Sequence, residues 1–335
     1  MHVKPILMMG GSGAIGRLSA QTLHSLHPEM PLLLAGRDVS KAQAVADELG
    51  NADAVELDLA AEDLGLGDRD VGAVAVFYAD SRLAGLRFAR ARSVPHLNIS
   101  SGVFEIAPEI ATYMQKPEAG AVVLGYEWLV GATTVPTLEL AKRFHRVDSI
   151  KIGALVDEED GGGPAVAEDF ERLSRMMPAA LTLRGGTYIW REGEDAKARF
   201  QAIDGTEIEA SGFSSIDVAS LAAATGAKDV QFDLVAGVSS TRRRGEPKST
   251  EIIIELSGEG RDGRTLLTRH AVFHPGGAAP LTALGVATIL ERLTGLDGRD
   301  PAAPGLYFPY QLLDPATYLH RLEAAGGGVL ELDRL

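Results

Sequence analysis

The amino-acid sequence predicts an α/β protein, with an N-terminal Rossmann-type doubly wound parallel sheet followed by a second α+β domain. Three observations carry this reading. Apolar runs alternate with helix-period segments through the first third of the chain. A glycine-rich turn, Gly10-Gly11-Ser12-Gly13-Ala14-Ile15-Gly16, joins the first apolar run to the first helix. Beyond about residue 149, apolar segments succeed one another without regular helices between them.

Ile6-Leu7-Met8-Met9 reads as a buried strand and flows into the glycine turn. Gly11 permits the tight bend, Gly13 lets the backbone approach a pyrophosphate, and Gly16 lets the helix pack on the strand. Free amides at the helix start, with the positive end of its dipole, attract phosphates. Gly11, Ser12, Gly13, Ala14, Ile15 and Gly16 are therefore candidate cofactor-binding residues. The second apolar run, Leu32-Leu33-Leu34-Ala35, stops at Gly36-Arg37. An acidic residue there would hydrogen-bond the ribose 2′-hydroxyl of NAD, whereas Arg37 would pair with a 2′-phosphate, which points to NADP(H). Two alternatives stand beside this: Arg37 as a solvated surface cation, and Asp38 as the ribose ligand if the register slips by one. Ser40 is the expected cap of the next helix, residues 40–49.

A strand is expected over residues 54–59, with Asp58 either reaching the adenine amino group or serving as an ordinary loop carboxylate. Residues 71–79 are near-continuously apolar, as in a strand buried on both faces. A helix bearing Arg82, Arg87, Arg90 and Arg92 follows, then a strand over 95–100, a helix over 104–115 and a strand over 120–125. Six strands complete a dinucleotide-binding domain, drawn at residues 1–128. A linking helix over 133–144 opens the α+β domain, drawn at 129–310. That domain holds a strand at 149–156, a loop Gly161-Gly162-Gly163-Pro164, a helix through Met177, and β-rich segments at 187–190, 198–203, 252–256 and 266–273. Arg242 to Pro247 reads as a basic hairpin, and residues 280–293 as a helix. The tail, 311–335, contains a last helix at 315–325 and is expected to pack back on the first domain.

At 335 residues and 45% hydrophobic content the chain has ample material for a core. A net charge of −14 argues against nucleic acid or an anionic membrane as partner, while leaving room for a local electropositive pocket. Without an apolar span or leader the expected location is cytoplasmic. The absence of cysteine removes thiolate metal sites, iron–sulfur clusters and a cysteine nucleophile, and with them thiohemiacetal aldehyde oxidation.

In an open α/β sheet ligands gather beyond the carboxyl ends of the strands. That rule selects the glycine turn; Tyr78-Ala79-Asp80-Ser81, where Ala79 flanks the cofactor's ribose and phosphates; Ser100-Ser101-Gly102; and Gly125-Tyr126-Glu127-Trp128. Small residues at Ser100 and Ser101 suit the close approach of a nicotinamide ring, or a plain helix cap. Tyr126 is a candidate proton donor and Glu127 a candidate base or amine-orienting carboxylate; the alternative is that Tyr126 and Trp128 wall a cleft while Glu127 is solvated. His274, beside Pro275-Gly276-Gly277, is a candidate acid/base or a structural loop histidine. The arginine triplet 242–244 either binds a substrate anion or is solvated. No histidine has metal-ligand spacing with a carboxylate partner, so no metal is expected. No tyrosine has a lysine four residues on, which excludes a standard short-chain dehydrogenase.

The chain resembles the saccharopine dehydrogenase-like NAD(P)-dependent oxidoreductases. The resemblance is carried by Gly10-Gly11-Ser12-Gly13-Ala14-Ile15-Gly16-Arg17, by Leu34-Ala35-Gly36-Arg37-Asp38 with Lys41-Ala42, by Pro95-His96-Leu97-Asn98-Ile99-Ser100, and by the passage from Val122 to Thr134. The loop Tyr78-Ala79-Asp80-Ser81 departs from the small-residue, Gly-Pro type turn that members often carry there. The resemblance implies a nucleotide domain joined to an α+β domain that carries the substrate site and often a dimer interface, hence a homodimer. It further implies chemistry on C–N bonds of amino-acid derivatives. The resulting expectation is an NADP-dependent oxidoreductase acting on an imine or amine of a small amino-acid-like metabolite. The alternatives are a carbonyl/alcohol oxidoreductase on the same scaffold and a non-catalytic NADP(H)-sensing protein.

Overall fold

A computed structural model describes residues 3–161 and 163–333; Gly162 of the expected glycine loop lies outside them. In chain order the first elements are β1 (Ile6–Met9), α1 (Ala14–Leu26), β2 (Leu32–Ala35), α2 (Val39–Leu49), β3 (Ala52–Val55) and β4 (Ala73–Val76). They are followed by α3 (Ala84–Arg92), β5 (His96–Asn98), α4 (Ile106–Met114), β6 (Ala121–Leu124), α5 (Thr134–Ala141), β7 (Phe144–Asp157) and α6 (Pro164–Met176). Then come β8 (Ala180–Arg184), β9 (Thr187–Arg191), β10 (Lys197–Gln201), β11 (Glu207–Gly212), α7 (Asp217–Thr225) and β12 (Asp229–Gly237). The remainder is α8 (Ser240–Arg243), β13 (Thr250–Gly260), β14 (Thr265–His274), α9 (Ala278–Thr294), β15 (Gly305–Tyr307), α10 (Pro315–Ala324) and β16 (Gly328–Glu331).

The chain divides into two units. The first comprises Met1–Tyr126, Gly162–Asp169 and Thr282–Leu313; the second comprises Glu127–Gly161, Phe170–Leu281 and Asp314–Leu335. Among the described residues the first unit's sheet runs β3-β2-β1-β4-β5-β6-β15, and every pairing is parallel. The order reverses between β1 and β4, the doubly wound arrangement predicted from the sequence. Apolar runs make these strands because both faces are covered: β1, β2, β4 and β6 are buried at every position. Leu7, Met9, Leu33, Val74, Val76 and Phe88 pack in one buried cluster, each side chain of this size contributing about 1.5–3 kcal/mol on burial.

Two expected boundaries are corrected. The stretch from Thr282 to Leu313, drawn in the second domain, belongs to the first unit. There Gly305, Leu306 and Tyr307 pair with Ala121, Val122 and Val123 and add a seventh strand. The tail from Asp314 falls in the second unit, where β16 pairs antiparallel with β14. Its short strand satisfies the open edge that β14 would otherwise expose.

The second unit carries a nine-stranded sheet, ordered β10-β11-β12-β7-β13-β14-β16, with β8 joined to β12 and β9 to β8. Among the described residues the antiparallel expectation holds at every junction but one, since β7 and β12 run parallel through nine register pairs. Phe144 to Asp148 extend β7 before the expected strand start. Among the described residues no helix is long and apolar enough to cross a membrane.

Candidate functional site

The glycine turn binds β1 to the end of β2. Gly10 and Gly11 donate their amides to Ala35 O at 2.7 and 3.0 Å, and Gly13 N donates to Gly10 O at 2.9 Å. A Cβ on Gly16 would stand 2.3 Å from Gly10 O and 2.8 Å from Gly11 Cα, both backbone atoms, so only glycine fits where α1 crosses the turn. Gly11 and Gly16 are buried, Gly13 and Ala14 exposed, and Ser12 and Ile15 intermediate. Gly13 is the N-cap of α1 with no side-chain cap and no acidic residue in the first turn. The leading amides of α1 therefore face an open surface suited to an anion.

The Ser12 hydroxyl lies 2.4 Å from where a Cβ on Gly36 would stand, so the turn presses against the tip of β2 beside Arg37. Arg37 is exposed and makes no hydrogen bond or ion pair among the described residues. Asp38 is the N-cap of α2, displacing the expected Ser40: Oδ1 accepts from Ser40 N at 3.0 Å, Lys41 N at 3.3 Å and Ser40 Oγ at 2.5 Å. The Ser40 hydrogen bond chiefly holds its carboxyl below the usual range. That commitment counts against Asp38 as the ribose ligand. β3 ends at Val55, short of the expected strand end, and the Asp58 carboxylate accepts Ala60 N at 2.9 Å inside an exposed turn.

At the carboxyl ends of β4, β5 and β6 the first unit gathers a polar cluster. Ala79 is half-buried beside Asp80, whose Oδ2 accepts Gly85 N at 2.8 Å and caps α3. Burial first, then Asp80, pushes the Tyr78 phenol up to about 12. Asn98 Oδ1 accepts Ser100 N at 3.1 Å, which fixes the loop after β5, and the buried Ser100 hydroxyl donates to Asp169 Oδ2 at 2.9 Å. The central member is Glu109 on α4, 1% exposed and not singled out in the sequence. Its Oε1 accepts Asn98 Nδ2 at 3.1 Å and Ser101 Oγ at 2.8 Å, while Oε2 accepts the Tyr126 hydroxyl. Burial holds Glu109 above its ordinary range against those three donors. Burial and then the Glu109 charge push Tyr126 well up. One signal could have found Glu109: a carboxylate inside the otherwise apolar segment Ile106-Ala107-Pro108-Glu109-Ile110-Ala111.

Glu127 opens the second unit. It is buried rather than solvated, and its Oε2 accepts Thr134 Oγ1 at 2.7 Å. Trp128 does form an aromatic wall, with ring centroids 5.6 Å from Phe213 and from Phe232 and 6.1 Å from Phe170. Its backbone amide donates at 2.7 Å to Asp217 Oδ2. Asp217 is fully buried and pushed up to about 6 by that burial.

His274 ends β14 rather than lying in a loop. It is 5% exposed, with Nε2 3.1 Å from Ala325 O and Nδ1 accepting Gly276 N at 2.9 Å. Both ring nitrogens are occupied, and burial lowers its pKa. The arginine triplet is neutralised within the unit: Arg242 pairs with Asp157 at 2.7 Å, Arg243 with Asp204 at 2.7 Å and Arg244 with Glu246 at 3.0 Å. Among the described residues no group of three or more His, Cys, Asp or Glu could hold a metal.

No protein-family model matches the sequence, and no curated protein matches it. Solved structures do match. Saccharopine dehydrogenase (L-Glu forming) from Saccharomyces cerevisiae superposes with a TM-score of 0.67 at 15% identity, over 98% of this chain and 99% of that one. The chain has the saccharopine dehydrogenase fold. Homospermidine synthase from Legionella pneumophila, solved with NAD, gives 0.63 at 8% identity over 100% of this chain and 92% of that one. GenD2 from gentamicin A biosynthesis, also solved with NAD, gives 0.52 at 14% identity over 100% and 97%.

Proposed function

We propose that the protein is an NADP(H)-dependent oxidoreductase acting on an imine or amine of a small amino-acid-like metabolite. The observation that carries the cofactor is the turn before α1: a glycine crossing that no Cβ fits, with uncapped amides beyond it. Arg37, exposed at the tip of β2 and unpaired among the described residues, supports a 2′-phosphate over a bare ribose. Bound there, the nicotinamide supplies the hydride carrier. The chain's share is orientation and a proton held between Tyr126 and Glu109 at the end of β6. The C–N reading is supported by likeness to two structures whose names denote saccharopine and homospermidine chemistry, and by the acidic cluster of Asp80, Glu109 and Asp169, which suits a cationic nitrogen better than a carboxylate. A homodimer is part of the proposal and is tested by light scattering.

Calorimetric titration with NADPH and NADH, followed by an absorbance assay over amine/keto-acid pairs and carbonyl compounds, tests the proposal. Micromolar NADPH binding with turnover that requires the amine supports it; no binding of either cofactor at millimolar concentration removes it. One observation favours a second reading, an NADP(H) sensor without turnover. Both sequence-nominated proton donors are engaged, Tyr126 by Glu109 and His274 at both nitrogens. Binding without turnover across the panel selects that reading.

A further inference from the structure

Residues 163–169 return to the first unit from the middle of the second unit's sequence, and both ends of that stretch meet the expected cofactor path. At one end a Cβ on Gly163 would lie 3.4 Å from Ala14 Cβ, at the start of α1 where the pyrophosphate is placed. At the other, Asp169 Oδ2 accepts the Ser100 hydroxyl at 2.9 Å. Ser100 follows β5, on the side of the β1/β4 reversal opposite Arg37. A dinucleotide whose 2′-phosphate end sits at Arg37 must place its nicotinamide on that side. The loop holding Ser100 is rigidly built. Asn98 binds its amide, and Asn98 and Ser101 are both tied to Glu109, so the Ser100 hydroxyl is directed to Asp169 by a fixed backbone.

We propose that Asp169 is the residue that sets the preference between oxidised and reduced cofactor, by holding a carboxylate against the nicotinamide from α6. The proposal rests on the cofactor assignment above. The two redox forms of the ring differ by one positive charge: the oxidised pyridinium is cationic and the dihydronicotinamide neutral. A carboxylate beside the ring stabilises the first and is nearly indifferent to the second. Among the described residues the acidic groups Asp80, Glu105 and Glu109 are each tied to a partner beside the loop after β5. Asp169 differs in being supplied by a separate segment, so its charge can be removed while the loop after β5 keeps its hydrogen bonds.

The experiment is calorimetric titration of the full chain with NADP+ and NADPH, or with NAD+ and NADH if only that pair binds. It compares wild type, Asp169→Asn and Ser100→Ala, with thermal melts to establish folding. Asp169→Asn keeps an acceptor for Ser100 and removes the charge. It should weaken binding of the oxidised form roughly tenfold relative to the reduced form, which corresponds to raising the bound couple's potential by about 30 mV. Ser100→Ala should move the ratio in the same direction by a smaller factor, because the carboxylate is no longer held. Equal weakening of both redox forms would make Asp169 a mere strap across the cofactor and overturn the assignment, as would an unchanged ratio. Wild type that binds neither pair fails the cofactor reading itself, whereas binding with a ratio insensitive to Asp169 fails only this inference.

Discussion

Replacing Arg37 with alanine separates cofactor recognition from stability, because among the described residues the side chain has no partner to lose. It is exposed at the tip of β2 and unpaired among the described residues, so the melting temperature should not move beyond the effect of a surface change, about 0.5 kcal/mol. A guanidinium 4 Å from a phosphate oxygen is worth about 1 kcal/mol at the dielectric of water and about 4 kcal/mol at that of a protein surface. Exposure places Arg37 between these limits, and a bidentate contact adds hydrogen bonding. The expected loss for NADPH is about 1–3 kcal/mol, roughly a 5- to 150-fold rise in Kd. NADH, which lacks the 2′-phosphate, should bind the variant within about twofold of wild type. Titration at low and high salt checks the cause, since an exposed ion pair weakens with ionic strength. Equal losses for NADPH and NADH, or NADPH binding unaltered by the substitution, would refute the assignment of Arg37 to the 2′-phosphate.

Three further outcomes follow from the described contacts. Gly16→Ala forces a methyl to 2.3 Å from Gly10 O, so α1 must shift off the turn. A loss of about 1–3 kcal/mol in stability is expected together with most of the NADPH affinity, read by thermal melt and titration. Asp217 has a folded-state pKa of about 6 against 3.8 unfolded, so its burial opposes folding as pH rises from about 3.8 through 6. Asp217→Asn, which can still accept Trp128 N, should flatten the melting temperature across that window and gain on the order of 1–3 kcal/mol at pH 8; parallel pH curves would contradict it. His274→Ala frees Ala325 O and Gly276 N and should lower stability by about 1–3 kcal/mol while leaving NADPH affinity intact; a loss of affinity at unchanged stability would return the histidine to the site.

The glycine turn, β1, β2 and their order were legible because each rests on local chemistry. An apolar run buried on both faces, a glycine crossing and a helix start lie within thirty residues of one another. The elements that were missed depend on distant chain. β15 is three residues long, with no periodicity of its own; only Val122 and its neighbours make it a strand. Asp58 looked like a strand terminus because Ala54 to Leu59 alternates, yet pairing with β2 stops at Val55. Glu109 and Asp217 carry ordinary helix positions in sequence, and their burial appears only once α4 and α7 are packed. His274 is the converse case, where the sequence leaves an acid/base and a structural histidine both open. A histidine beside Pro-Gly-Gly looks free, and the carbonyl that occupies it is 51 residues away.

The three-piece composition of the nucleotide unit governs how it can be made. Residues 1–126 contain every cofactor contact proposed on β1, β2 and β4 but leave β6 as an unpaired edge, because its partner strand arrives only at residue 305. A fragment cut at residue 126 would present bare strand amides and carbonyls to its neighbours, a template for sheet-to-sheet association. During synthesis the first unit must wait half-built while residues 127–281 emerge from the ribosome. A chain stopped before residue 305 would therefore carry the glycine turn and Arg37 on a sheet whose β6 edge stays open.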